Sequence, residues 1–234
     1  MFTSSSRLFA AIVLSSASFA AVGAVVTPHY DAFAKLPGAT FGGKGIANDP
    51  TAITHYNGLT LGMAATPRYS APALGNNGAG TYFALPGPGL QAGYSTWNFD
   101  FYLHDIGGLG KQGMTYSLLY EFNPGSDTNV TQFGTLNLTP YAFGATTVEN
   151  SLNLGMPFLT ASSPGMISAP AGAFDASANG QYSFALIAAE AGVEVARSAI
   201  NVNVGVVPEP ASLALFGLAM LGMTGVLKLG KRRR

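Results

Sequence analysis

The chain's chemistry-bearing residues are few and scattered. Its histidines are His29, His55 and His104, it has no cysteine, and charged residues make up only 9% of its 234 positions. Soluble domains average about 25%. Without Cys there is no thiol nucleophile, disulfide framework or thiolate-built zinc site. The histidines lack the spacing of a metal pair, and neither H-E-x-x-H, an EF-hand loop nor G-x-S-x-G occurs. His104-Asp105 reads as the end of a strand, so no enzymatic role is expected. Gly108-Leu109-Gly110-Lys111-Gln112-Gly113 fits G-x-G-x-x-G, but a dinucleotide site needs a helix to follow, and here the pattern of a strand follows.

Weaker binding chemistries remain open. Asp100, Asp105, Asp127, Asp175 and Asn179 fall in or beside turns, where oxygen ligands suit Ca²⁺, the one cofactor considered. Capped turns explain them as well, and no cofactor is required. Tyr69, Tyr82, Tyr94, Trp97, Tyr102, Tyr116, Tyr120 and Tyr141 provide rings on which sugars could stack. Most read as core, whereas Tyr102 lies on the polar phase of its strand and is expected to be exposed. Asp127-Thr128-Asn129-Val130-Thr131 makes Asn129 a candidate glycan acceptor, and Asn137-Leu138-Thr139 fits only the shorter pattern.

The elements that position these residues are strands. Trp97, Phe99, Phe101 and Leu103 alternate with Asn98, Asp100, Tyr102 and His104, and a second alternation runs over residues 114–122. With the Gly-rich connector 105–113 between them, the two read as a β-hairpin with a mobile tip. A second pair spans residues 181–186 and 193–204, with a phase change that places a bulge near Ala196 and Arg197. Further strands are expected at 52–60, 81–84, 131–138 and 146–154, separated by Asn, Pro and Gly turns. Short strands without a long amphipathic helix predict an all-β fold, an antiparallel β-sandwich of immunoglobulin-like or jelly-roll-like type over residues 25–206.

Both ends read as targeting segments. Arg7, an apolar run over residues 8–21 and small residues at Ala20 and Ala24 have the order of a signal peptide, assigned to residues 1–24. Residues 211–227 carry no charge, and at 1.5 Å per residue they cover roughly 25 Å, near the lower limit for a membrane span. A transmembrane helix is therefore expected over 211–229. Lys228, Lys231, Arg232, Arg233 and Arg234 then form a basic tail that stays cytoplasmic under the positive-inside rule. What precedes the helix must face outward, across the inner membrane.

Val207-Pro208-Glu209-Pro210-Ala211-Ser212, an apolar helix and a basic terminus, in that order, resemble the PEP-CTERM protein-sorting signal. Leu229 and Gly230 interrupt the basic cluster, a minor departure. The resemblance covers residues 207–234 and implies recognition by the membrane peptidase exosortase, after signal peptidase has acted at the other end. It further implies export to the surface or matrix of a Gram-negative bacterium, in company with exopolysaccharide and biofilm. The function expected is a structural or adhesive surface protein; the alternative is a carbohydrate-binding module for secreted polysaccharide.

The zero net charge averages over segments with separate roles. Between residues 25 and 206, Lys35, Lys44, Arg68, Lys111 and Arg197 face ten carboxylates, which leaves −5. An acidic domain is a poor partner for nucleic acid.

Overall fold

The computed structural model describes residues 26–69, 73–125 and 130–205. In chain order the described strands are β1 (Ala32–Ala34), β2 (Thr51–Tyr56), β3 (Leu59–Pro67), β4 (Gly75–Asn76), β5 (Thr81–Ala84) and β6 (Trp97–Asp105). They continue with β7 (Met114–Tyr120), β8 (Gly134–Asn137), β9 (Thr147–Leu152), β10 (Ile167–Ser168), β11 (Gly180–Glu190) and β12 (Val193–Val204). One helix of a single turn, α1 (Thr139–Ala142), follows β8. A five-stranded sheet runs β1-β2-β3-β6-β9, and a seven-stranded sheet runs β10-β8-β7-β11-β12-β5-β4. No helix among the described residues is long and apolar enough to cross a membrane. The expected signal peptide and the 211–229 helix lie outside the described residues.

The period-two pattern places one phase of each strand between the sheets. Trp97 and Phe99 of β6 reach across to Phe184 of β11, with ring centroids 5.9 and 4.5 Å apart. Tyr120 of β7 stacks on Phe99 at 6.4 Å. Such aromatic pairs add specificity to the burial that drives sheet packing. Along one margin the sheets are tied by hydroxyls: Thr54 donates to the Arg197 carbonyl at 2.7 Å, and Ser198 donates to the Ala52 carbonyl at 2.8 Å.

The fold is nearly all-β and consists of two packed sheets, as expected, but the pairings correct several details. Strands β6 and β7 are not a hairpin, because β6 pairs with β3 and β9 while β7 pairs with β8 and β11. Alternation reports which face a residue takes and says nothing about which strand lies beside it. The connector is no mobile tip either. Leu109 is buried within it, Tyr116 Oη donates to its carbonyl, and Lys111 pairs with Asp105.

The expected strand 52–60 is broken into β2 and β3 by Asn57-Gly58, both with positive φ, in a two-residue hairpin that pairs Tyr56 with Leu59. That is the type I′ turn that Asn-Gly favours. Strand β7 ends at Tyr120 rather than residue 122, because the Glu121 carboxylate accepts the Ser183 N–H at 2.5 Å where a backbone partner would continue the ladder. Strand β5 joins β12 in parallel, so the second sheet is mixed rather than purely antiparallel. The bulge falls at Val195, one residue before the expected place, as the register shifts between Ala188–Ala196 and Ala189–Glu194.

Candidate functional site

Residues 35–50 form a strap over the outer face of the five-stranded sheet. That face is built small: Gly62 and Ala64 of β3 lie beside Tyr102 and Asp100 of β6. Leu36 and Phe41 of the strap are buried, as are Tyr102, 6% exposed, and Asp100. Asn48 laces the strap by donating to the Leu36 and Ala39 carbonyls at 3.1 and 3.0 Å. Glu149 of β9 fixes its middle, with its carboxylate accepting the Thr40 and Phe41 N–H groups at 2.8 and 2.7 Å and the Thr40 hydroxyl at 2.6 Å. The expectation that Tyr102 is exposed is therefore wrong. Its strand does alternate, but both faces of that strand are covered.

Where the strap ends, a cavity of about 630 Å³ opens between residues 41–47, the end of β3 and the neighbouring parts of β6 and β9. Lys44 and Arg68 line it, with Thr66, Asn98, Asn150 and Ser151 as neutral polar groups and Tyr69 as an exposed ring. No carboxylate lines it among the described residues. The Arg68 guanidinium carbon stands 4.5 Å from the Tyr69 ring centroid and 4.4 Å from that of Tyr94, within cation–π reach of both rings. Its Nη2 donates to Tyr69 Oη at 3.1 Å and to Gln91 Oε1 at 3.4 Å, and its Nη1 to Asn98 Oδ1 at 3.5 Å.

A buried amide sets the orientation of Asn98. Asn153, fully buried, donates from Nδ2 to Asn98 Oδ1 at 2.9 Å and to the Trp97 carbonyl at 2.7 Å. Asn98 in turn donates to Ser151 Oγ at 2.9 Å. Beneath this row lies Asp100, whose two carboxylate oxygens have no hydrogen-bond partner among the described residues. Burial pushes its carboxyl up to about 7, and the nearby Ser151 and Thr66 hydroxyls only partly oppose the shift.

A second cavity, of about 650 Å³, lies near β9, β8 and β10 and shares Asn150 with the first, with Tyr141 and Phe158 exposed on it and Glu149 as its charged lining residue. The two cavities differ in kind: one is basic and polar, the other largely apolar.

The remaining sequence candidates do not converge. His55, Thr60, His104 and Thr147 form one row across β2, β3, β6 and β9, and the two rings turn Nδ1 to Thr60 and Thr147 hydroxyls at 3.1 and 2.9 Å. His29 is paired with Ala199 of β12. Asp105 is taken by Lys111 and the Gly107 N–H. Burial alone would raise its pKa, but these partners hold its carboxyl below the usual range. Asp175 caps Ser177 at 2.8 Å. Among the described residues no three His, Asp or Glu side chains are grouped as a metal ion would need. Trp97, Tyr82, Tyr116 and Tyr120 are core, which leaves Tyr69, Tyr94 and Tyr141 as rings in reach of a ligand.

Asn137 spends its amide locally, donating to the Gly165 carbonyl at 2.8 Å and accepting the Thr139 N–H at 3.0 Å. Asn129 and Asp127 lie outside the described residues. So do Val207, Pro208, Glu209, Pro210, Ala211 and Ser212, and the basic tail Lys228, Lys231, Arg232, Arg233 and Arg234. Arg68 and Lys44 were missed by sequence reasoning. The available signal was Arg68 directly before Tyr69 in a domain with only five bases.

Residues 206–234 match the family described as the PEP-CTERM protein-sorting motif. The match marks a secreted protein targeted to exosortase, made as a membrane-anchored precursor. No curated protein and no solved structure matches the chain.

Proposed function

We propose that this chain is a surface-sorted, non-catalytic module of a Gram-negative bacterium, structural or adhesive in role and resident in exopolysaccharide-rich matrix. The observation that carries the reading is the sorting motif at residues 206–234 placed directly behind the last strand of a β module. Strand β12 ends at Val204, and Gly205 is held by its N–H donating to the Ala84 carbonyl at 3.0 Å. Signal peptidase removes the N-terminal segment in this reading. Residues 211–229 hold the precursor in the inner membrane, with the basic tail inside, until exosortase shortens it. A module with few charges and a net charge of −5 suits close contact with a hydrated, weakly charged matrix.

Intact-mass measurement on protein recovered from membrane and medium fractions tests the sorting. A full-length membrane form and a shorter outer form are expected, the latter missing the tail. Deleting residues 208–210 should abolish the short form, and unchanged shortening of the deletion variant would refute the reading. The same masses report any glycan on Asn129. The alternative, carbohydrate binding, is favoured by the cavity around Arg68 rather than by Tyr102.

A further inference from the structure

We infer that the loop of residues 85–93 is a membrane-contact tip, and that in the anchored precursor Leu85 and Leu90 enter the interface of the phospholipid bilayer. The inference rests on the reading of residues 211–229 as the precursor's span, and adds a second point at which the module meets that bilayer.

Topology sets the loop beside the anchor. Strands β5 and β12 run parallel and end in register, with Ala84 opposite Val204. The chain therefore leaves the sheet twice at one end and in one direction, into Leu85 and into Gly205. The Gly205 N–H donates to the Ala84 carbonyl at 3.0 Å, which ties the two exits together. Residues 206–210 alone separate Gly205 from the uncharged run that begins at Ala211, a reach of roughly 20 Å when fully extended. A short tether thus keeps the loop near the bilayer.

The loop's side chains suit that place. No charged residue occurs between Arg68 and Asp100, although the module carries five bases and ten acids. Leu85 is 66% exposed and Leu90 95%, with Pro86, Pro88 and Ala92 exposed beside them. Apolar side chains so placed lose free energy to water and regain it at an acyl boundary. Asp175, on the adjoining loop that holds Gly87, spends its carboxylate on the Ser177 N–H at 2.8 Å.

The backbone is equally prepared. A donor moved out of water costs free energy unless it has a partner. Pro86 and Pro88 have no N–H to lose. The Gly87 N–H donates to the Ala176 carbonyl at 2.8 Å and that of Gly89 to the Tyr94 carbonyl at 2.6 Å. The Thr96 hydroxyl donates to the Leu85 carbonyl at 3.0 Å, and Pro88 bridges to Ser95. The leucines are therefore presented on a braced loop. Ile106, also exposed, lies past the other end of β6, roughly 26 Å along that strand. It has the same apolar character without the neighbouring anchor.

The test uses the full-length chain, which has no cysteine, reconstituted in vesicles of phosphatidylethanolamine and phosphatidylglycerol. A single thiol introduced by Ala92→Cys or by Ile106→Cys carries an environment-sensitive dye, and spin-labelled lipids serve as quenchers. Blue-shifted emission and lipid quenching are expected at position 92 and neither at position 106. Adding Leu85→Asp and Leu90→Asp to the Ala92→Cys chain should cut the quenching at least about threefold, since the leucines supply the apolar area withdrawn from water. Melting curves confirm that each variant is folded. No lipid quenching at position 92, or equal quenching at 92 and 106, would overturn the inference. So would a blue shift without lipid quenching, which marks contact with another protein, or undiminished quenching with both aspartates in place. Flotation separates the two readings. A chain that does not float with the vesicles refutes the span and the tip together, whereas a floating chain unquenched at position 92 refutes the tip alone.

Discussion

Leu36 occupies the space above Gly62 that a side chain there would need: a β-carbon built on Gly62 would come within 2.6 Å of Leu36 Cδ2 and 3.3 Å of Tyr102 Cβ. The absence of one atom on β3 thus lets the strap lie flat on the sheet and bury the polar phase of β6. Gly62→Ala should destabilise the protein by about 1–3 kcal/mol, as overpacking does. Leu36→Ala should cost about 2–5 kcal/mol through its cavity. In the double variant the new methyl sits where the leucine was, so the combined loss should fall well short of the sum. Denaturant melts of the two single variants and the double provide the check, and strict additivity would show that the two residues are not coupled.

Asp100 makes stability depend on pH. Its carboxyl is raised from 3.8 to about 7 in the folded protein, so between those values the folded chain holds a proton that the unfolded chain has released. The stability that Asp100 contributes is therefore greatest below about pH 4, falls as pH rises to about 7, and is level above that. The loss is on the order of 4 kcal/mol if the site stays dry. Asp100→Asn copies the protonated acid. Its melting temperature should match that of the parent near pH 4 and exceed it at pH 8, and parallel profiles for the two proteins would contradict this assignment.

Asn57 and Ala191 hold the same position in two hairpin turns, with φ of +47° and +49°, each followed by a glycine. Asn tolerates this region, whereas Ala pays for its β-carbon there. Ala191→Asn should raise stability by about 0.5–1 kcal/mol, and Asn57→Val should lower it by about 1–3 kcal/mol. For a domain of this size each kcal/mol moves the melting temperature by about 2–4 °C. Thermal scans of the pair should therefore shift in opposite directions.

Only Val206 and Val207 separate Gly205 from Pro208, a reach of roughly 10 Å even when extended. Strand β12 is paired with β5 up to Val204, so a membrane peptidase must work close against folded protein. A six-residue Gly-Ser spacer inserted after Val206 should speed conversion of precursor to the short form in pulse-chase labelling. An unchanged rate would mean that the folded module does not limit access.

Much of the architecture is legible in residue order because it rests on local patterns. Period-two alternation located most strands, and the Gly180–Glu190 and Val193–Val204 pair was readable from its apolar phase. Asn57-Gly58 was readable too, though the reading ran a strand through it. The sorting segment is more local still: proline, glutamate, an apolar run and basic residues keep their meaning without a fold around them.

What residue order left open depends on partners far away along the chain. Whether Tyr102 meets solvent was decided by Leu36 and by Gly38, 3.7 Å from its hydroxyl once a β-carbon is built there. Whether β6 and β7 are neighbours was decided by β9 and β11. The Arg68 cavity brings together residues 41–47, Arg68, Asn98 and Asn150, and no local pattern predicts that meeting. By itself the sequence determined the all-β class, the acidic module and the address. Tertiary structure alone decided which face was covered and where two scarce cations met, since long-range packing assigns each residue its neighbours.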